Sequence, residues 1–70
     1  MNYYKGTVTN IDFDPEFGDI TGDEATITVT LPYGYRYAND PAKSVVLSVP
    51  KVLAQITEIG MYYMVSEERL

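Results

Sequence analysis

Residues 24–31, EATITVTL, decide the fold of this chain. The apolar side chains of Ala25, Ile27, Val29 and Leu31 alternate strictly with polar ones. A two-residue period is typical of a β-strand that buries one face and exposes the other. We therefore predict a half-buried strand with a solvated threonine face.

Three further strands are predicted along the chain. Upstream, YYKGTVTNIDF (residues 3–13) is rich in β-branched and aromatic residues, and its alternation places Val8 and Ile11 on opposite sides. Downstream, SVVLSV (residues 44–49) is a short apolar run typical of a buried strand. The last segment, MYYMVSEE (residues 61–68), alternates again and predicts a closing strand with a polar tail.

The hydrophobic period changes in PKVLAQITEIG, residues 50–60. The large apolar residues of this segment are Val52, Leu53, Ile56 and Ile59. Their spacing is typical of a short amphipathic helix, so we expect all four to face the core. Pro50 suits the first position of such a helix and Gly60 suits the left-handed position beyond its end.

The order strand, strand, strand, helix, strand predicts a mainly β (α+β) fold. Two architectures fit this order, a small partly open β-barrel and an antiparallel sheet covered by one helix, and we favour the barrel. Seventy residues form one small domain (1–70), which buries only about 60% of its unfolded surface and is therefore marginally stable.

Charge and composition limit the function classes. The formal net charge is -5 and the sequence pI is near 4.3, so direct nucleic-acid binding is disfavoured and a basic protein surface is the expected partner. The chain has no Cys, no signal-peptide pattern and no apolar run long enough to span a membrane, so we expect a soluble, cytoplasmic protein without membrane contact. Small size, acidity and the absence of Cys and His are the only indications of a phage-encoded protein.

The charge is concentrated in DFDPEFGDITGDE, residues 12–24, which contains no Lys or Arg. The six carboxylates of this acidic stretch are Asp12, Asp14, Glu16, Asp19, Asp23 and Glu24. Such a density of like charge resists burial, so we expect a solvated hairpin connection that attracts a basic partner or a cation. Phe13 and Phe17 interrupt the acidic run and resemble the aromatic anchors of interfaces. An ordinary solvated connection, with both rings in the core, is the alternative.

A metal site in this stretch remains an alternative. Counted from Asp12, the carboxylates fall at positions 1, 3 and 5, but Phe17 occupies position 6, where an EF-hand loop needs Gly. The flanks also predict strands where an EF-hand needs helices. We therefore predict no metal and no other cofactor, and keep a small Ca²⁺- or Mg²⁺-binding or ligand-binding domain as the second hypothesis. Its candidate ligands are Asp12, Asp14, Glu16, Asp19 and Asp23.

Aromatic residues form a second candidate surface. Tyr33, Tyr35 and Tyr37 share one face if the backbone of YGYRYANDPAK stays extended, although Asn39, Asp40 and Pro41 then mark a turn. A stacked tyrosine face suits a protein interface or, as a third hypothesis, an OB-like binder of single-stranded nucleic acid. Seven Tyr in so small a chain also leave aromatic surface for a homodimer.

Catalysis is poorly supported, because the chain has no His or Cys and its serines lack the sequence context of a nucleophile. We therefore predict a non-enzymatic, protein-binding accessory or inhibitory domain. It is expected to dock an acidic loop and a tyrosine-rich edge on a basic partner protein. The candidate partner-binding residues are Asp12, Asp14, Glu16, Phe17, Asp19, Asp23, Tyr33, Tyr35 and Tyr37.

Overall fold

The computed structural model of the chain describes residues 2–13 and 23–70. The elements in these ranges are β1 (Tyr3–Asp12), β2 (Glu24–Leu31), β3 (Lys43–Pro50), α1 (Lys51–Ile56), β4 (Tyr62–Ser66) and a C-terminal 3₁₀-helix (Glu67–Arg69). The four strands form one antiparallel sheet in the order β3-β2-β1-β4, curled into a half-barrel. The predicted mainly β fold and its order β-β-β-α-β are confirmed.

Strand β2 lies at the centre of the core, hydrogen-bonded to β1 on one side and β3 on the other. The predicted bounds of this strand are confirmed, and its four apolar side chains are fully buried. Its polar face is less solvated than predicted, because Thr26 is also buried and Thr28 and Thr30 are half-buried. A central strand has neighbours on both sides, and these cover the short threonine side chains even on the outer face.

A β-bulge changes the phase of β1. Val8 pairs with Val29, whereas the next paired residue is Asn10, opposite Thr28, so the register shifts between them. The shift turns Ile11 toward the same core that buries Val8. The prediction that Val8 and Ile11 lie on opposite sides of the strand is therefore wrong, because one extra residue reverses the alternation.

The helix has a different orientation from the one predicted. Its buried residue is Ala54, whereas the four large apolar residues of the segment are exposed. The prediction that Val52, Leu53, Ile56 and Ile59 face the core is therefore wrong.

Backbone hydrogen bonds explain this orientation and the early end of α1. The N–H of Lys51 donates to the carbonyl of Asp23 (2.9 Å), which extends the β2–β3 ladder into the first residue of the helix. This bond fixes the rotation of α1 before its first turn is complete, and the small Ala54 then meets the sheet. Thr57 is extended and its hydroxyl donates to the carbonyl of Leu53 (2.8 Å), so α1 ends four residues before Gly60.

Candidate protein interface

Three of the acidic residues that the structure describes, Asp12, Asp23 and Glu24, lie at one end of the sheet. There β1 finishes at Asp12, β2 begins at Glu24 directly after Asp23, and β3 passes into α1. We call this region, with residues 51–56 of α1, the acidic end. The predicted site residues Asp14, Glu16, Phe17 and Asp19 belong to the connection between β1 and β2 and lie outside the described residues.

Hydrogen bonds hold the start of α1 beside these carboxylates. Glu24 is the cross-strand partner of Pro50, the last residue before the helix. The carboxylate of Glu24 accepts a 2.7 Å bond from the hydroxyl of Ser48, and the carbonyl of Asp23 accepts the bond from Lys51. The position of α1 relative to the acidic residues is therefore set by the sheet itself.

Apolar side chains are exposed along α1. Val52 and Ile56 are one helical turn apart and are 71% and 72% exposed, and Ile59, just beyond the helix, is 66% exposed. Leu53 is also on the surface, and residues at i and i+4 lie on the same face of a helix. We call Val52, Leu53 and Ile56, the exposed apolar residues within α1, the apolar patch. Sequence reasoning assigned these residues to the core and so missed them as interface candidates.

The predicted tyrosine surface has a different arrangement. Residues 32–42, the tyrosine end, form turns rather than an extended segment: Gly34 has φ +76°, and its N–H donates to the carbonyl of Asp40 (2.7 Å). The side chains of Tyr33 and Tyr37 are exposed, whereas Tyr35 is half-buried against the core. The condition for a shared tyrosine face, an extended backbone, is not met.

Tyr35 and Arg36 tie this loop to the rest of the domain. The ring of Tyr35 meets that of Tyr4 edge-on, with centroids 5.7 Å apart. The guanidinium of Arg36 lies 3.3 Å from the carboxylate of Asp40 and 3.7 Å from that of Glu67. Partial burial and then the Glu67 carboxylate, which accepts a hydrogen bond from the Tyr4 hydroxyl, raise the pKa of Tyr4. These contacts give Tyr35 a structural role.

The two candidate surfaces lie at opposite ends of β2. This strand has eight residues, and a rise of about 3.4 Å per residue separates its ends by roughly 24 Å. The structure therefore brings Asp12, Asp23 and Glu24 together with the apolar patch, but it does not bring Tyr33 and Tyr37 to them.

Residues 2–13 and 23–70 contain no group of three or more acidic side chains arranged to hold a metal ion. Three of the five candidate calcium ligands, Asp14, Glu16 and Asp19, fall outside these ranges. Within the same ranges no helix is long and apolar enough to cross a lipid bilayer.

Comparisons with protein-family models, with curated proteins and with solved structures give no match to this chain. We therefore infer the function from the chemistry of the surface.

Proposed function

We propose that this chain is a non-enzymatic protein-binding module whose acidic end docks on a basic partner protein. One observation carries the proposal: the apolar patch of α1 is exposed at the end of the sheet where Asp12, Asp23 and Glu24 meet. A contiguous apolar surface with a charged rim is a common feature of interaction sites.

A partner that covers the apolar patch gains free energy from its burial. Burial of a side chain such as Val52 or Ile56 is worth about 1.5–3 kcal/mol, and the free domain does not gain it. A partner that covers both side chains recovers that free energy on binding. Large side chains at the centre of an interface typically supply most of its affinity.

The charge of the chain selects the partner. Six of its ten carboxylates lie in residues 12–24, and that stretch contains no Lys or Arg. A surface rich in Lys and Arg is attracted to this end and oriented by it, which speeds association. A second copy of the chain, itself carrying a net charge of -5, is repelled by the same field.

The tyrosines at the other end are not included in this interface. Tyr33 and Tyr37 follow the far end of β2, roughly 24 Å along the strand from Glu24, and Tyr35 is half-buried against the core. An interface of standard size buries about 800 Å² on each partner, so a compact partner covers the acidic end without reaching the loop.

Affinity capture with matched variants tests the proposal. The chain is used as bait in an extract of its source cell, beside a Val52→Ser, Ile56→Ser double variant and a Tyr33→Ser control that also removes an exposed apolar side chain. We expect a basic protein to be retained by the wild type and by Tyr33→Ser. The double variant should bind it at least about thirtyfold more weakly, the loss of about 2 kcal/mol typical of interface anchors. Equal retention by the double variant, or loss only in Tyr33→Ser, contradicts the proposal.

A further inference from the structure

We propose that the opening between β3 and β4 accepts an extended segment of a partner protein, which pairs with the sheet as a fifth strand. The half-barrel is open on this side because β3 and β4 are its two edge strands and are not hydrogen-bonded to each other. This surface adjoins the acidic end at Ser48, whose hydroxyl donates to Glu24, but it includes no residue of α1.

The opening is a groove of about 290 Å³, which we call the edge groove. Its lining residues on the two strands are Leu47, Ser48 and Val49 of β3 and Tyr63, Met64, Val65 and Ser66 of β4. Leu47, Val49 and Val65 belong to the buried core and form the apolar base of the groove, whereas Ser48, Ser66, Glu68 and Arg69 make its accessible walls largely polar. At the tyrosine end, the amine of Lys43 donates to the carbonyl of Leu70 (2.9 Å) and ties the two sides together.

The register shows which backbone groups of β4 point into the groove. The N–H of Val8 in β1 donates to the carbonyl of Met61 (2.8 Å), just before β4. Hydrogen-bonded positions alternate along an antiparallel ladder, so Tyr63 and Val65 also bond to β1. The β4 residues whose backbone N–H and C=O point away from β1 are Tyr62, Met64 and Ser66.

The same alternation applies to β3. The bond from the N–H of Lys51 to the carbonyl of Asp23 fixes its phase, so Val49 and Leu47 bond to β2. The β3 residues with a backbone N–H that points away from β2 are Ser44, Val46 and Ser48; Pro50, at the end of the strand, has the same direction but no N–H. In the described part of the chain, no backbone hydrogen bond crosses the groove from either set of three residues.

Apart from Pro50 at the end of β3, the two edges lack the usual protection against strand pairing. Natural edge strands are commonly blunted by Lys, by inward-pointing charges or by Pro within the strand. None of the six residues with an outward-facing N–H is charged; the exposed Met64 lines the groove, and the exposed Val46 lies on the same edge strand as Leu47. Such an edge is a template for β-strand addition, in which backbone bonds supply affinity and alternate side chains supply specificity.

The chemistry of the groove defines its occupant. Its volume is at the lower limit for a pocket that encloses a compact ligand, whereas an extended chain needs room only for alternate side chains. Apolar side chains at alternate positions match Leu47, Val49 and Val65 at the base of the groove. The net charge of -5 favours Lys or Arg at the intervening positions. A folded second copy carries the same negative charge, and it can pair with one outer edge without filling the space between both.

A defined peptide tests the edge groove. The probe is a capped nonapeptide of alternating Lys and Val, added to ¹⁵N-labelled protein at low salt, and amide hydrogen exchange is followed by NMR. We expect the outward-facing amides of Met64 and Ser48 to exchange at least tenfold more slowly with the peptide. A peptide with the same residues in two blocks should give no such protection. Binding without protection of these amides, equal protection by the block peptide, or no binding at millimolar peptide overturns the proposal.

Backbone variants identify the bonding atoms. Met64→Pro and Ser48→Pro each remove one outward-facing N–H, which edge strands tolerate, while Met64→Ala and Ser48→Ala remove the same side chains but keep the N–H. Each Pro variant should bind the alternating peptide roughly two- to tenfold more weakly than its Ala counterpart, as expected for one hydrogen bond. Equal affinities in both pairs overturn the proposal. The wild-type exchange data decide the question without any variant if the Pro variants unfold.

Two further outcomes separate the groove from the acidic end and from self-association. The Val52→Ser, Ile56→Ser variant should show the same amide protection as the wild type. Loss of protection in that variant places the peptide at the acidic end and overturns the groove while leaving the proposed function intact. A free protein that sediments as a dimer with Met64 and Ser48 already protected assigns the groove to a second copy and also overturns the proposal.

Discussion

Strand β2 and helix α1 are both patterned with large apolar residues, yet the fold treats them in opposite ways. In β2 every apolar side chain is fully buried, whereas in α1 the small Ala54 is buried and Val52 and Ile56 face solvent. The strand has a hydrogen-bonded neighbour on each side, so its alternation decides which face meets the core. The orientation of α1 is decided instead by the ladder bond at Lys51. A hydrophobic pattern therefore predicts which side chains are buried only where no backbone hydrogen bond imposes a different orientation on the element.

A six-residue helix has little stability of its own and depends on its attachment. Its exposed apolar side chains do not stabilise the free domain, which is why we assign them to a partner. Substitutions that are chemically identical in β2 and α1 test whether the two elements differ in this way.

The largest effect is expected for Ile27→Ala in β2. Removal of a fully buried isoleucine side chain leaves a cavity and should lower the free energy of unfolding by about 2–5 kcal/mol. Ile56→Ala removes the same atoms from the surface of α1 and should change it by less than about 0.5 kcal/mol. Urea denaturation of both variants measures the difference. Similar losses of unfolding free energy in the two variants would show that Ile56 is a core residue and contradict its exposure on α1.

A smaller effect is expected where α1 meets the sheet. Ala54→Leu places a larger side chain in a position that is 1% exposed and should cost about 1–3 kcal/mol through overpacking. Gln55→Leu, at an exposed neighbouring position, is the matched control and should be nearly neutral. The melting temperatures of the two variants check this prediction. A neutral Ala54→Leu contradicts the orientation of α1 described above.

Some of these elements could be predicted from the sequence and others could not. The bounds and buried face of β2 follow from strict alternation, whereas β3 follows from a short apolar run and β4 from a second alternating segment. The phase of β1 after Val8 could not be predicted, because a bulge inserts one residue without a Gly or Pro to mark it. The exposed face of α1 could not be predicted either, because it depends on a hydrogen bond between residues 28 positions apart in the chain, Asp23 and Lys51. Asp12 and Asp23 were identified as site candidates from charge density alone, whereas the apolar patch beside them had the pattern of a core.

The smallest effect on stability is expected for the acidic stretch. Reversal of Asp14, Glu16 and Asp19 to Lys removes mutual repulsion and should leave the free energy of unfolding equal or slightly higher. The same triple variant should associate more slowly with the captured basic partner at low salt, with a weaker dependence on salt. Stopped-flow association rates at low and high salt measure both quantities. A triple variant that associates as fast as the wild type at low salt reduces the acidic stretch to a connection between strands.

The exposure of the apolar patch can be measured directly in the free protein. A soluble gadolinium chelate broadens the NMR signals of methyl groups in proportion to their access to solvent, and isoleucine methyls are present in both β2 and α1. We predict strong broadening for Ile56 and Ile59 and almost none for Ile27, which is fully buried. Protection of Ile56 and Ile59 equal to that of Ile27 would return the patch to the core and remove the basis for a docking surface at the acidic end.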